Sequence, residues 1–355
     1  MDNSPLSLFA HTHASYSSLM EKRLGYGRHH AGFLYKEWMR KGTCGGSDPA
    51  FANAGDLLCS LLEQSDFSHP ELIQTQSGGE ASKFLLKASD GLEMESVMIA
   101  MKTSGTLCIS SQVGCRMGCA FCETGRMGLL RNLTAAEIVS QVFVARHRLN
   151  FDFNSIVFMG MGEPLDNYEE VMQAIRILAD PQGLGFGVRR LTVSTSGCVD
   201  KIYRLMDEEL VPNLAVSVNA PRDDVRMKLM PVNRQYNMED LYRVMDEYGQ
   251  RTGREILVEY VLIKDKTDAL SDADDLALYL RGLNVRVNLI PYNSQSKHPF
   301  TTPDDSVIEA FFQRMRSHGY LTFLRRSKGQ KVMAACGQLG NRELRKSFLI
   351  NKSPC

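Results

Sequence analysis

The sequence predicts an α/β protein: a partial barrel of six β/α units, preceded by a small helical module and a β-hairpin. From residue 106 onward, short apolar or β-branched runs alternate with helical patterns, which is typical of parallel strands joined by helices. Before residue 106 the apolar spacing is first helical and then alternates with a period of two. Six units are too few for the usual closed barrel of eight strands, so we expect a partial or open one.

The region before the predicted barrel contains helical and hairpin patterns. Residues 1–24 are polar and rich in serine and histidine, and we expect them to be loosely ordered. Apolar stripes at helical spacing follow in residues 33–39 and 57–62. The pair Asp90-Gly91 is a strong hairpin signal between two strand patterns. We therefore divide the chain into an accessory helical module (1–82), a hairpin extension (83–105), a core (106–341) and a tail (342–355).

Strands and helices alternate along the core. The strand patterns are continuous apolar runs, which suits burial on both faces of a parallel sheet. The predicted strands are 107–111, 155–159, 191–195, 213–218, 256–263 and 285–290, with a seventh at 320–325. The predicted helices are 135–149, 168–179, 200–209, 238–250, 272–281 and 304–317. Ligands of such folds bind at the carboxyl ends of the strands, so the segments there form the candidate site.

Composition narrows the class of protein. Lys plus Arg and Asp plus Glu both total 41, so a nucleic acid would need a local basic patch rather than a global field. No apolar run is long enough to span a membrane, and the N-terminus has no signal-peptide pattern. Nine cysteines, an odd number, fit thiols or metal ligands in a reducing cytoplasm better than a secreted disulfide framework. We expect a cytoplasmic monomer.

The most informative motif is a run of three cysteines, Cys115-x3-Cys119-x2-Cys122, just after the first core strand. Three thiolates at this spacing can hold three irons of a [4Fe-4S] cluster and leave the fourth iron open. An open iron can bind a small molecule and pass one electron into it, which predicts radical chemistry with S-adenosylmethionine. A structural zinc site is the alternative, but such sites usually close with a fourth ligand nearby, and no Cys or His follows Cys122 before His147.

Polar or glycine residues follow several other core strands. Gly162 and Glu163 lie in a Met-Gly-Met-Gly-Glu-Pro string after the second strand, where glycine lets a ligand approach the backbone and the carboxylate suits an ammonium group. Hydroxyl and amide groups follow the third, fourth and sixth strands at Ser194, Ser217, Asn219 and Asn293. Each type is common in turns, but together they can hydrogen-bond a ribose, a carboxylate and an adenine edge.

Two further cysteines, a carboxylate and a basic run complete the candidates. Cys336 lies between small residues, which predicts an exposed, flexible loop with a reactive thiolate. The run leading into this loop predicts contacts to RNA phosphates, although most such runs are solvated loops; its cations are Arg325, Arg326, Lys328 and Lys331. By pattern alone, Cys108 is more often a buried apolar filler and Glu95 an exposed strand residue.

These strings resemble the radical S-adenosylmethionine methyltransferases that methylate adenine in RNA, the RlmN/Cfr family. The resemblance covers about residues 83–341 and rests on Thr106–Cys115, Arg131–Ile138, Phe158–Pro164, Val193–Gly197 and Ala334–Leu339. It implies a radical S-adenosylmethionine barrel, a [4Fe-4S] cluster and an RNA substrate. We expect the branch that modifies carbon 2 of adenine in 23S ribosomal RNA and transfer RNA.

The resemblance also implies a two-stage reaction that uses two S-adenosylmethionine molecules per turnover. The first methylates the thiolate that matches Cys336. The second binds the open iron and is cleaved by an electron from a donor such as flavodoxin, and the resulting radical takes a hydrogen from the S-methyl group. The methylene carbon adds to adenine, and the thiol matching Cys108 then attacks the Cys336 sulfur and leaves a disulfide. Glu95 matches the proton acceptor, with Cys108 as the alternative.

The S-adenosylmethionine contacts implied by the resemblance are Gly162, Glu163, Ser194, Ser217, Val218, Asn219 and Asn293. Two positions depart from the family pattern, because Asn219 stands where a His is common and Glu123 where relatives often carry a small residue. Three alternatives stay open: methylation of adenine carbon 8 in ribosomal RNA, a radical enzyme acting on a protein or small molecule, and a non-catalytic iron–sulfur or zinc protein that binds RNA.

Overall fold

The computed structural model describes residues 4–44, 49–101, 104–294, 298–326 and 336–340. Lys328, Lys331 and the predicted tail 342–355 lie outside these ranges. Within them, one mixed sheet of ten strands organises most of the chain.

The N-terminal part is mainly helical. Its elements are β1 (Leu6–Ser7), α1 (His13–Leu24), α2 (Arg28–Lys41), α3 (Gly55–Glu63) and β2 (Ser65–Asp66), and β1 pairs with β2 in parallel. The two helical stripes correspond to α2 and α3, and α2 ends where Gly42 takes a left-handed φ of 72°.

The prediction that residues 1–24 are loosely ordered was wrong, because α1 occupies half of them. Thr12 caps its first turn by accepting a hydrogen bond from the Ser15 amide, and Tyr16 and Met20 are fully buried. A capping residue and two buried side chains one turn apart suffice for a helix that packs on its neighbours. Because most residues in this segment are polar, the sequence shows no clear apolar stripe for this short buried face.

Three antiparallel strands extend one side of the sheet: β3 (Glu71–Gly78), β4 (Ala81–Lys87) and β5 (Glu93–Ile99). The predicted hairpin between β4 and β5 is present, with Gly91 at a φ of 83° and the Leu92 amide donating to Asp90 Oδ1 at 3.0 Å. Strand β3 was not predicted, because both of its faces are largely exposed and it shows no regular apolar alternation. The antiparallel region therefore begins before residue 83.

The core follows in regular alternation. Its elements are β6 (Gly105–Cys108), β7 (Gln112–Val113), α4 (Glu123–Met127), β8 (Arg131–Asn132), α5 (Ala135–His147), β9 (Phe153–Phe158), α6 (Tyr168–Ala179), β10 (Leu191–Thr195), α7 (Val199–Met206), β11 (Asn213–Ser217), α8 (Asp223–Leu229), α9 (Met238–Thr252), β12 (Ile256–Leu262), α10 (Leu270–Tyr279), β13 (Val285–Pro291), α11 (Asp305–Ser317) and β14 (Thr322–Leu324). The short helices α4 and α8 were not predicted.

The predicted α/β architecture is confirmed. In the described residues, β6 and β9–β14 lie in chain order and pair in parallel, and helices join them as six β/α units that lead to a seventh strand. One interior cavity of about 540 Å³ contacts Thr106 of β6, Thr192 of β10 and Phe323 of β14. Because strands from both ends of the parallel set reach the same cavity, the sheet curves into a partial barrel.

The helical module shares the hydrophobic core of the barrel. The Trp38 ring of α2 stacks on Phe143 of α5 at 4.9 Å, and Phe9 packs edge-on against the same ring. Phe143 is fully buried. These aromatic contacts hold the module against the outer side of α5.

Gln141 of α5 fixes the backbone just beyond β6, close to the cysteine motif. Its side-chain oxygen accepts from the Ser110 amide at 2.8 Å and its nitrogen donates to the Ser110 carbonyl at 2.9 Å, and all of these groups are buried. Gln141→Leu should lower the free energy of unfolding by roughly 2–4 kcal/mol, because both Ser110 groups lose their partner. Anaerobic urea unfolding measures this. Gln250→Leu, which changes an exposed glutamine on α9, should leave the midpoint unchanged; equal midpoints for both variants would contradict the role of Gln141.

Candidate functional site

A cavity of about 160 Å³ lies at the carboxyl ends of the parallel strands, where the site was predicted. Most of the predicted site residues line it. They are Cys115, Cys119, Cys122, Gly162, Glu163, Ser194, Ser217, Asn219, Asn293 and Cys336. Three predicted site residues do not line this cavity, and they are Cys108, Glu95 and Val218.

The three cysteines of the motif lie on the loop between β7 and α4, and Cys122 is the last residue before the helix. All three are free thiols, and burial raises the pKa of each, to different extents. Buried thiols of this kind become thiolates most readily when a metal binds them. In the described part of the chain, no three Cys, His, Asp or Glu side chains surround one point closely enough to hold a single metal ion. A [4Fe-4S] cluster does not require this, because each cysteine binds a different iron.

The cavity wall also contains a fixed carboxylate, Glu163. Glu163 accepts hydrogen bonds from the amides of Ser196 at 2.7 Å and Leu165 at 3.2 Å, and its own amide donates to Gln112 Oε1 at 2.8 Å. Burial raises the pKa of Glu163, while these amide donors act in the opposite direction. A buried carboxylate held in this way suits the ammonium group of an amino acid.

Tyr292 lines the same cavity. Its hydroxyl lies in the cavity wall, is buried, and has no hydrogen-bond partner among the described residues. Buried hydroxyl groups are normally paired, so this one is available to a bound molecule. Free thiols, a fixed carboxylate and an unpaired hydroxyl in one cavity fit an iron–sulfur cluster together with S-adenosylmethionine.

Gly162 and Asn219 shape the cavity through their backbone. Gly162 has a φ of +104°, and a Cβ atom there would lie 2.6 Å from the Cβ of Gln112. Asn219 also has a positive φ, of 57°, and its side chain is used internally: Oδ1 accepts from the Val261 amide at 2.9 Å, and Nδ2 donates to the Met230 sulfur. Because the Asn219 side chain is bonded within the protein, its backbone is the part that remains for the cavity wall, although this position lacks the common histidine.

Cys336 is half-buried, and the residues after it are anchored at several points. Its carbonyl accepts from Asn293 Nδ2 at 3.0 Å, and the carbonyl of Gly337 accepts from the Glu123 amide at 2.8 Å. The Gly340 amide donates to Glu95 Oε1 at 3.1 Å. The expectation of an exposed, flexible loop is thus wrong for residues 336–340, because they pack between α4 and the end of β13.

Cys108 and Glu95 lie outside the wall of the smaller cavity, and Glu95 contacts the Cys336 segment at Gly340. Burial raises the pKa of the Cys108 thiol to about 12, and the neighbouring Cys336 adds to this effect. Cys108 faces Val97 across the strand pair β5–β6, and alternation along β5 places Glu95 on the same face of the sheet. Glu95 is 7% exposed, unlike a typical strand carboxylate, and forms an ion pair with Lys83 at 3.1 Å. Cys108 and Cys336 are both free thiols.

Glu259 of β12 lines the cavity and was missed by the sequence analysis. Its carboxylate accepts from Ser194 Oγ at 3.3 Å and Asn288 Nδ2 at 3.4 Å. An acidic residue within the apolar run Ile256–Leu262 was the signal that could have revealed it, because charged residues are rarely buried without a role. Arg226 and Lys83 were also missed, and no local pattern distinguishes them.

The basic run has a different setting from the one predicted. Arg325 is half-buried; its Nη1 lies 3.9 Å from the Glu259 carboxylate and 3.9 Å from the Met159 sulfur. The charge of Cys336 raises the pKa of Arg325, and Glu259 adds to it. Arg325 therefore lines the larger cavity of about 540 Å³, which Cys336 also lines. Arg326 is 61% exposed and pairs with Asp305 at 2.9 Å, while Lys328 and Lys331 lie outside the described residues.

The sequence of the chain is similar to those of known proteins. Residues 109–277 match the model of the radical SAM superfamily. A protein of Protochlamydia amoebophila named "Probable dual-specificity RNA methyltransferase RlmN 1" is 52% identical over 98% of both chains, and one of Dictyoglomus turgidum named "Probable dual-specificity RNA methyltransferase RlmN" is 40% identical over 82% of this chain and 83% of its own.

A solved structure has the same fold. The crystal structure of a radical SAM methyltransferase from Sphaerobacter thermophilus superposes with a TM-score of 0.88 at 39% identity, and covers 94% of this chain and 99% of that one. No helix among the described residues could cross a membrane. The predicted resemblance is confirmed, and the chain belongs to the RlmN family of radical S-adenosylmethionine methyltransferases.

Proposed function

We propose that this protein methylates carbon 2 of adenine in 23S ribosomal RNA and in transfer RNA, and that Cys336 carries the methyl group as a thioether. The observation that supports this most strongly is the cavity that Cys336 shares with the three cysteines of the motif and with Glu163. The relatives named dual-specificity RNA methyltransferases support RNA as the substrate.

The binding roles follow from the cavity wall. A [4Fe-4S] cluster held by Cys115, Cys119 and Cys122 would supply the electron that cleaves S-adenosylmethionine. Glu163 accepts hydrogen bonds from the ammonium group of that molecule, and a polar set surrounds the remainder: Ser194, Ser217, Asn219 and Asn293, with the Gly162 backbone beside them and Val218 behind them.

Cys336 provides the sulfur for a radical route to carbon 2, which a polar methyl transfer could not modify. Carbon 2 of adenine is not nucleophilic, so the methyl group must reach it as a radical carbon bound to sulfur. Asn293 and Glu123 hold the backbone of Cys336 and Gly337 and so keep the sulfur beside the cavity. Two S-adenosylmethionine molecules are used per turnover, because one methylates Cys336 and another is cleaved.

Cys108 and Glu95 complete the reaction. Glu95 takes the proton that leaves carbon 2, and its link to the Gly340 amide keeps it next to the Cys336 segment. The Cys108 thiol loses its proton and attacks the Cys336 sulfur, which breaks the carbon–sulfur bond to the RNA and forms a disulfide. The released methylene carbon takes up a proton to become the methyl group, and the one unpaired electron of the adduct would return to the cluster. The charge interaction between Cys108 and Cys336 supports their proximity.

The remaining parts of the proposal concern partners and organisation. The exposed Arg326 contacts the RNA backbone, together with Lys328 and Lys331. A small electron donor such as flavodoxin provides one electron per cleaved S-adenosylmethionine. The protein acts as a cytoplasmic monomer, with the N-terminal helical module, the antiparallel strands β3–β5 and the core as its functional divisions.

Mass spectrometry of nucleosides tests this function directly. We expect 2-methyladenosine in both ribosomal and transfer RNA from cells that contain the protein, and its absence from both pools in matched cells without it. Appearance of 8-methyladenosine in ribosomal RNA would instead assign the carbon-8 activity. No change in either pool would contradict an RNA substrate.

A further inference from the structure

Arg226 of α8 is a fully buried arginine directly behind the cavity wall. Its guanidinium donates to three backbone carbonyls, those of Ser196 at 2.6 Å, Val218 at 3.1 Å and Ser217 at 3.2 Å. It also donates to Asn233 Oδ1 at 2.8 Å. One side chain therefore joins the segment after β10, the segment after β11 and the segment after α8.

These carbonyls belong to the backbone that forms the proposed S-adenosylmethionine site. Ser196, Ser217 and Asn219 line the cavity, and Val218 lies between the last two in the chain. The packing is close: a Cβ atom on Gly197, whose φ is +108°, would lie 3.1 Å from Arg226 Nη2. Because β10 and β11 end in separate loops, a shared donor behind both loops fixes their relative position.

The charge of Arg226 lacks a carboxylate partner. No Asp or Glu of the described residues forms an ion pair with it within 4.0 Å, and all of its hydrogen-bond acceptors are neutral. Burial lowers the pKa of Arg226, and the nearby Tyr279, Cys119 and Asp223 partly oppose this effect. Buried cations are normally paired with an anion. The cysteine motif packs on the same helix, because the amide of Ala120, next to Cys119, donates to the Leu229 carbonyl of α8 at 2.8 Å.

We propose that Arg226 is a positioning residue that fixes the backbone of the S-adenosylmethionine site and also serves as the fixed counter-charge of the thiolate-bound cluster. This inference rests on the proposed function. It assigns two separable effects to one side chain: the hydrogen bonds hold the two loops, and the positive charge stabilises the more negative, reduced state of the cluster.

The experiment uses the full-length, cluster-loaded protein under anaerobic conditions, with Arg226→Lys and Arg226→Met. Equilibrium dialysis gives the Kd of S-adenosylmethionine, and a titration followed by electron paramagnetic resonance gives the midpoint potential of the cluster. We expect the Kd to rise roughly tenfold in both variants, because neither can donate to all four acceptors. The midpoint potential should fall in Arg226→Met and stay near the wild-type value in Arg226→Lys, which keeps the charge.

Two further variants make the result decisive. Arg222→Met removes a half-exposed arginine next to α8 that pairs with Asp275, and it should change neither quantity. Asn233→Ala removes one acceptor but keeps the Arg226 charge, so it should raise the Kd and leave the potential unchanged, even where an Arg226 variant does not fold. An unchanged Kd in both Arg226→Lys and Asn233→Ala would overturn the positioning role, and an unchanged potential in Arg226→Met would overturn the counter-charge. A wild-type protein that binds no cluster would contradict the proposed function instead.

Discussion

Cys336→Ala should abolish methylation of RNA and still cleave S-adenosylmethionine. The variant removes the sulfur that we propose carries the methyl group, whereas the cysteine motif and Glu163 lie on other segments and remain in place. The Asn293 contact to residue 336 uses a backbone carbonyl, which alanine retains. Liquid chromatography with mass spectrometry measures both products, 2-methyladenosine in RNA and 5′-deoxyadenosine in solution. We expect the first to be undetectable and the second to be formed.

Two matched cysteine variants sharpen this result. Cys108→Ala keeps the methyl carrier but lacks the thiol that releases the RNA, so RNA should stay bonded to the protein through a denaturing gel. Cys336→Ala should form no such adduct. Cys59→Ala, which removes an exposed thiol on α3, should methylate normally. Full methylation by Cys336→Ala would refute the thioether carrier.

Cys115→Ala should lose the cluster and, with it, both methylation and cleavage of S-adenosylmethionine. In the proposed cluster each motif cysteine would bind a different iron, so removal of one would leave a second iron without a protein ligand. Cys115 is buried in the cavity wall. Visible absorption and iron and sulfide analysis of the reconstituted variant measure the loss.

The control for this variant is again a cysteine outside the site. Cys44→Ala, in the N-terminal module, should reconstitute with wild-type iron content. If Cys115→Ala also reconstituted with wild-type iron content, the motif would not be the cluster site. Stoichiometric zinc in the wild-type protein, with no cleavage of S-adenosylmethionine, would support the zinc alternative.

The parallel core could be predicted because its signals are local. Each strand from β9 to β13 is a short apolar run followed by a helical pattern, and burial on both faces of the sheet requires such runs. Two of the elements that were not predicted, β3 and α1, share one cause. Strand β3 is exposed on both faces, and α1 has only a short buried face, so neither has a strong apolar period.

The amino-acid sequence by itself determined the α/β class, the cysteine motif and the family, because these depend on residues adjacent in the chain or on long matching strings. Only the tertiary structure decided what surrounds each candidate. It placed Glu259 beside Ser194, Arg325 beside Glu259, and Arg226 behind two separate loops. These contacts join residues from different strands, and their strength depends on burial, which a local sequence pattern does not encode.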